Sequence, residues 1–287
     1  MKYKPQRHLM EKMMEQLPHS PRPNTLFHFC KPDKEDEKDR MNGIDKLKSI
    51  LKNGFFPRYS LENVSAISKT TDRIAFPFVS FCDIPIERLI PHSKFYGCCG
   101  IGMDKENWGL GKKLNPVIYI NGDTSLSESF KAVFKGAIAL NNSHDESEYL
   151  ESMCKIAAYA KPLNGYAETI QGKNQFKEFY QENEWRYVPI NKINKKDIKL
   201  YILERDYKKD KERLNKIAEE KACLKFHPNN IRYIFVKTDF DADDLVDFIE
   251  DNISDILSDT RNEQSRKHWK KMLFTKIVIF EELIKDI

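Results

Sequence analysis

Two glutamates stand two residues apart in the segment Gln181-Glu-Asn-Glu-Trp-Arg186, and a histidine sits inside the early apolar segment Thr25-Leu-Phe-His-Phe-Cys30. A carboxylate near a histidine and aromatics suits reactions at the anomeric carbon of a sugar. Departure of a leaving group there builds positive charge on the ring, and a fixed carboxylate stabilises it while holding a ribose hydroxyl. On a strand, Glu182 and Glu184 would face the same side, one orienting a nucleophile and the other gripping the sugar. Arg186 would share that face, either holding a phosphate bidentately or pairing with one of the glutamates. Spacing alone favours a plainer account, with the acids on an exposed strand face and His28 satisfying a backbone group in the core.

Other motifs carry less. Cys82, His92, Cys98 and Cys99 are soft ligands within one stretch, but no C-x-x-C spacing occurs and buried thiols explain them better than zinc. Asp239-x-Asp241-x-Asp243 with Glu250 imitates a calcium loop, yet Asp244 stands where that loop needs glycine. Gly109-Leu-Gly-Lys-Lys113 fails as a phosphate loop, because Glu106 replaces its first glycine and Lys113 its Ser/Thr. Arg261-Asn262 with His268 is similar to the Arg-Asn…His signature of HEPN ribonucleases, at a longer spacing. Residues 239–259 carry nine acids and no bases, and 261–276 carry six bases and one acid, so two helices of opposite charge are expected to pair with each other.

The elements that must position these residues are legible in the apolar pattern. Leu9, Met10, Met13, Met14 and Leu17 predict a first amphipathic helix, ended by Pro18, Pro21 and Pro23. Residues 25–30 read as a buried strand, and a helix with Leu47, Ile50 and Leu51 inward stops at Gly54. FFPRYSLE, IAFPFVSFCDIP, 96–103, 116–120 and 184–190 read as strands, and 124–161 as helical. Further on come a charged helix over 204–222, a strand over 231–236, an acidic helix over 241–258, a basic one over 261–273 and a last strand over 276–280. Clustered strands without regular strand–helix alternation indicate α+β architecture.

The chain has 287 residues, 48 Lys+Arg against 44 Asp+Glu and a formal charge of +4. That balance excludes a protein coated in positive charge but leaves room for a local basic face, since residues 192–221 alone carry eleven bases and seven acids. No run of about 18 apolar residues occurs, so no membrane span is expected. The start lacks the pattern of a secretory signal, and six scattered cysteines read as reduced thiols, so a cytoplasmic protein is expected.

The series FHF, LKSILKNGF, PRYS, FPFVSFCDIPIERLIPH, YGCCGIGMDKENWGLGKKLNPVIYI and ENEWRYVP resembles the AbiG-type (AbiGi-like) abortive-infection antitoxin family of bacterial phage-defence systems, in order over about two thirds of the chain. The resemblance implies a cognate toxin or antitoxin partner from the same operon. A second resemblance, to ADP-ribosyltransferases and especially the DarT-type enzymes that modify DNA, rests on the histidine strand, the helix ending in an IL..G pattern, FPFVSF and a late strand with a glutamate. It implies an ADP-ribosyltransferase-like split β-sheet core with surrounding helices. Residues 24–190 would form the NAD-binding part and 195–287 a helical elaboration with closing strands, within one domain over 1–287. By position it makes Glu184 the catalytic carboxylate with Glu182 beside it. His28 would touch a ribose of NAD with Phe29 next to it, Arg58 or Tyr59 would line the diphosphate or nicotinamide side, Ser80 would stand where some of these enzymes have a serine, and Arg186 would complete the cofactor set. Two functions follow as expectations. One is transfer of ADP-ribose from NAD to a macromolecule, a nucleic-acid acceptor among the candidates; the other is a non-catalytic antitoxin that neutralises a partner toxin or regulates its operon.

Overall fold

The computed structural model describes residues 23–33, 42–141, 147–193, 198–257 and 262–286. The helix expected over residues 9–17, Pro18 and Pro21 of its connector, and Arg261 lie outside the described residues.

In β1 (Thr25–Phe29) every residue except His28 is buried. Helix α1 (Gly43–Asn53) opens on a reciprocal cap in which the Asn42 side chain accepts from the Asp45 amide at 3.0 Å and the Asp45 carboxylate from the Asn42 amide at 3.4 Å. It stops at Gly54, whose φ of 86° resists any side chain. Strands β2 (Arg58–Asn63) and β3 (Arg73–Cys82) follow. Helix α2 (Leu89–Tyr96) occupies a stretch to which the sequence pattern assigns no element, and carries Pro91 near its start. Within the first turn a proline costs no helical hydrogen bond, and Gly97, at φ 85°, closes the helix where a strand was expected to begin.

Strand β4 (Gly100–Asp104) lies so close to β1 that a Cβ on Gly100 would sit 2.7 Å from the His28 carbonyl oxygen. The strand expected over 116–120 is two pieces, β5 (Asn115–Pro116) and β6 (Ile118–Ile120), which pair with different partners. The helical stretch expected over 124–161 divides into α3 (Ser125–Asn141) and α4 (Ser147–Ala157), then ends in β7 (Ala160–Pro162). A hairpin of β8 (Asn164–Glu168) and β9 (Asn174–Glu178) leads to β10 (Glu184–Tyr187). The rest comprises β11 (Ile202–Leu203), α5 (Glu204–Ala222), β12 (Ile231–Val236), α6 (Asp239–Leu257), α7 (Glu263–Phe274) and β13 (Ile277–Ile279).

The architecture is mixed α/β. The main sheet runs β13-β12-β4-β1-β3-β10-β5, with β2 and β11 also on β3; β12 and β13 are parallel and the other pairs antiparallel. Alternation along the strands sends Leu26, Val79, Phe81, Ile101 and Met103 to one face, where α1 and α6 cover them with Leu47, Leu51, Leu245 and Ile249. The opposite face packs Phe76, Phe78 and Val188 under Phe134 of α3 and Met153 of α4, and packs Phe27 and Cys82 under Leu89 of α2.

On one side of β3 the sheet is open. Strand β2 pairs along it from Arg73 to Phe78, and β1 meets it only where Phe27 faces Cys82. The backbone between these contacts is bridged by a side chain, the His28 Nδ1 lying 2.8 Å from the Ser80 carbonyl oxygen.

The charge pairing expected between the acidic and basic helices is not made among the described residues. Helices α6 and α7 adjoin through apolar residues such as Leu245, Ile249 and Leu273, while α6 turns acids towards α1, with Lys48–Asp244 at 2.5 Å and Lys52–Asp255 at 2.7 Å. Apolar inner faces set which sides of the two helices meet, and that leaves their charged sides elsewhere.

Candidate functional site

The two glutamates do converge, though not as neighbours on one strand. Glu182 ends a 3₁₀ turn over Phe179–Glu182, Asn183 adopts a left-handed conformation at φ 43°, and β10 begins only at Glu184. Asparagine tolerates that conformation because its short polar side chain finds local partners, here the Asp83 carbonyl oxygen at 3.0 Å. The resulting kink aims both carboxylates at Lys161 of β7.

Lys161 Nζ donates to Glu182 Oε2 at 2.8 Å and to Glu184 Oε2 at 2.7 Å. Glu184 Oε1 accepts from Arg186 Nε at 2.7 Å, and Arg186 also donates to Glu62 Oε2 at 2.6 Å and to the Ala158 carbonyl oxygen at 2.8 Å. The other oxygen of Glu182 accepts from Tyr96 Oη at 2.6 Å. Lys177 Nζ lies 2.7 Å from that same oxygen without hydrogen-bond alignment, and stands over the Phe95 ring at 3.9 Å. Tyr119 Oη accepts from the Glu184 amide at 2.7 Å. Glu182 and Glu184 are each only 5% exposed and Arg186 is fully buried.

Three carboxylates, Glu62, Glu182 and Glu184, therefore meet three cations, Lys161, Lys177 and Arg186. Burial by itself would raise both glutamates, but Arg186 and Lys161 overcome it at Glu184, and Lys161 and Lys177 at Glu182, holding both carboxyls below the usual range. Lys161 is pushed down by burial and lifted further by Glu184 and Glu182, ending well above an ordinary lysine. Burial wins at Lys177, which is lowered despite Glu182. Burial also drives His92, beside the cluster, down to about 3, so it is neutral.

A cavity of about 220 Å³ reaches this cluster through the open side of β3; Glu182, Glu184, Arg186, His28, Phe29 and Ser80 all line it. A larger one of about 600 Å³ adjoins it across His28, Phe29, Ser60, Phe78 and Ser80, and carries Arg58, Lys46 and Lys211. His28 nonetheless belongs by strand phase to the face opposite Glu184. Glu184 lies across from Cys82 and Cys82 from Phe27, whereas the His28 ring packs against Phe55 at 5.2 Å and Phe81 at 5.5 Å. Burial keeps it neutral.

Of the remaining residues singled out from the sequence, Arg58 is exposed, pairs with Glu219 at 2.9 Å and stands over the Phe56 ring. The Tyr59 ring is buried among Ala75, Ile202, Leu214 and Ala218, with its hydroxyl on the Lys199 carbonyl oxygen at 2.5 Å. Three short donor contacts and a fourth at 3.4 Å to Glu184 Oε2 occupy the Arg186 guanidinium, which rests 4.1 Å from the Phe78 ring centre.

Glu62, Lys161, Lys177, Tyr96 and Tyr119 carry no motif in the sequence. The nearest signal is Lys161 itself, a lone charge in Ala157-Ala-Tyr-Ala-Lys-Pro162, where burial of its neighbours obliges the ammonium to find anions. Among the described residues no group of three metal-ligating side chains occurs, and Cys99 packs on the opposite side of the sheet from Cys82.

A mixed sheet with helices on both faces, opened at its centre beside a charge-balanced buried cluster, is the class of protein these features define. Residues 53–237 match the model of the family described as abortive phage resistance protein AbiGi, antitoxin, and the chain belongs to that family. It is also 26% identical over 254 residues, 81% of this chain and 99% of the relative, to the abortive phage resistance protein AbiGi of Lactococcus lactis subsp. cremoris. No solved structure matches the chain. No described helix is long and apolar enough to cross a membrane.

Proposed function

We propose that this protein is the antitoxin of an abortive-infection pair and acts by binding its cognate toxin, not by chemistry at the glutamate pair. The observation that carries this reading is the charge balance of the buried cluster. A carboxylate that stabilises a cationic sugar ring must present uncompensated negative charge to it. Glu184 instead has an ammonium on one oxygen and a guanidinium on the other, and Glu182 is equally engaged. Such a cluster locks β7, β9 and β10 together and pins the surface around them in one shape, which is what a binding protein needs. The family description, antitoxin, supports a toxin partner.

A second reading, an ADP-ribosyltransferase-like protein that takes NAD as substrate, is favoured by one observation: His28, Ser80 and Glu184 line a common cavity where the sheet opens. The remaining residues fit NAD only in part. Phe29, Ser80 and Arg58 border the cavities, whereas the Tyr59 ring and the Arg186 guanidinium are committed elsewhere.

Growth of cells expressing the chain alone, and then together with its neighbouring gene, separates the two. The antitoxin reading expects harmlessness alone and restored growth beside a toxic neighbour. Toxicity of the chain by itself, abolished in Glu184→Gln, would overturn it.

A further inference from the structure

We propose that α3 joins two copies of this chain by packing antiparallel against α3 of the second copy, a surface separate from the glutamate cluster and independent of the antitoxin reading. Helix α3 has two uncharged sides. One carries Phe130, Phe134 and Ala137 into the core. The other lies about a quarter of a turn round the helix and carries Leu126, Val133 and Leu140 at heptad spacing, with Ser129 and Gly136 between them. Those three large residues are 54%, 59% and 43% exposed. The charges of α3 all project from the remaining side, where Glu128 meets Lys131 at 3.0 Å and Lys69 at 2.6 Å and Lys135 stands near them. A helix side that faces water ordinarily carries charge, and the Leu126–Leu140 side carries none.

Gly136 adds a second observation. A glycine in mid-helix weakens the helix, because its backbone loses more freedom on folding than any other residue's. The packing of this chain does not call for it: a Cβ built at Gly136 would meet no described group within 4 Å. The room left by the missing side chain opens outward, and with the small, exposed Ser129, Ala132 and Ala139 it lets another helix backbone approach closely.

The same stripe supplies both the bulk and the gaps, so a second copy completes it. In an antiparallel helix pair the large positions of one helix fall opposite the small positions of the other, here Leu126 over Gly136 and Val133 over Ser129, and two-fold symmetry repeats both contacts. With no charge on this side, an acidic or basic partner would find nothing to pair with. The exposed parts of the three large residues and their small neighbours amount to on the order of 500 Å² per copy, so about 1,000 Å² between two copies, the low end of specific interfaces. An area of that size suits a reversible dimer with a dissociation constant of about 1–100 μM.

The test is sedimentation velocity of the full chain, without its toxin, from about 1 to 200 μM. The mean mass is expected to rise from that of one chain towards that of two. Gly136→Glu and Val133→Glu place a charge in the contact, and each is expected to raise the dissociation constant at least about tenfold and hold the mass near one chain. Both sites face solvent, so the core is undisturbed. At the dilute end, where the parent is also a monomer, Gly136→Glu should melt no lower than the parent and up to about 2–4 °C higher, glutamate being the better helix former. A chain that stays monomeric throughout, or variants that associate as the parent does, would overturn the proposal. A monomer whose mass rises only when the toxin is added, with that rise lost in Gly136→Glu, would overturn it too and assign the face to the toxin.

Discussion

Replacing Glu184 by glutamine tests whether the glutamate pair holds the fold together or is kept in reserve for chemistry. The native carboxylate accepts from Arg186 Nε and from Lys161 Nζ, both at 2.7 Å. A glutamine carbonyl can keep one of these contacts, and its amide NH₂ must then face the other cation. With Glu62 and Glu182 left against Lys161, Lys177 and Arg186, the buried cluster carries an excess positive charge. Removing one partner of a buried pair costs about 3–5 kcal/mol, out of a total stability on the order of 5–15 kcal/mol. At roughly 2–4 °C per kcal/mol for a chain of this size, the thermal midpoint should fall by about 10 °C. Calorimetry of the two proteins reads this directly. The Glu184→Met/Arg186→Met variant restores charge balance and should recover much of the loss, a coupling of at least about 1 kcal/mol in the double-mutant cycle. A Glu184→Gln protein as stable as the parent, or more so, would refute the reasoning, because it would mark Glu184 as a carboxylate held at a cost for function.

Acid should destabilise the protein in two stages. His92 and His28, both half-buried, have folded pKa values below the unfolded 6.5 because desolvation disfavours their charged forms, so below that pH the unfolded state binds protons the native state does not. Each then removes about 1.4 kcal/mol per pH unit as pH falls from 6.5 towards its folded value. Glu182 and Glu184 have depressed folded values, so their contribution is complete above the usual glutamate range and is lost as pH falls below about 4.5. Urea midpoints across pH 4–7 should therefore decline already between 6.5 and 5, and His92→Asn should flatten that part of the curve; a profile level down to pH 5 would contradict the neutral burial. Gly100→Ala should cost about 1–3 kcal/mol, because its Cβ would meet the His28 carbonyl oxygen at 2.7 Å and push β1 from β4. A denaturation midpoint equal to the parent would show that the two strands separate more easily than their pairing implies.

Continuous apolar runs made much of the frame legible. Residues 25–29, 73–82 and 231–236 are strands, and 204–222 is a helix with the limits its pattern predicts. The site was legible only in pieces. Glu184 and Arg186 do share a face of β10, as period-two alternation requires. Glu182 joins them through the left-handed Asn183, a conformation no periodicity announces. The cations that determine what the glutamates can do come from β7 and β9, and their convergence depends on how the chain between α3 and β10 folds back. Long-range electrostatics of this kind leaves no local pattern. The same holds for the charges of α6 and α7, where opposite signs in adjacent segments suggested mutual pairing but apolar inner faces fixed the orientation of both helices.

The most direct test of the claim that this chain binds and does not catalyse is release of nicotinamide from labelled NAD by the purified protein, alone and with its toxin partner. With Glu184 neutralised by Arg186 and Lys161, release should not rise above the protein-free rate in either mixture. Release that depends on the chain and disappears in Glu184→Gln, in a variant shown by its melting curve to be folded at the assay temperature, would contradict the account.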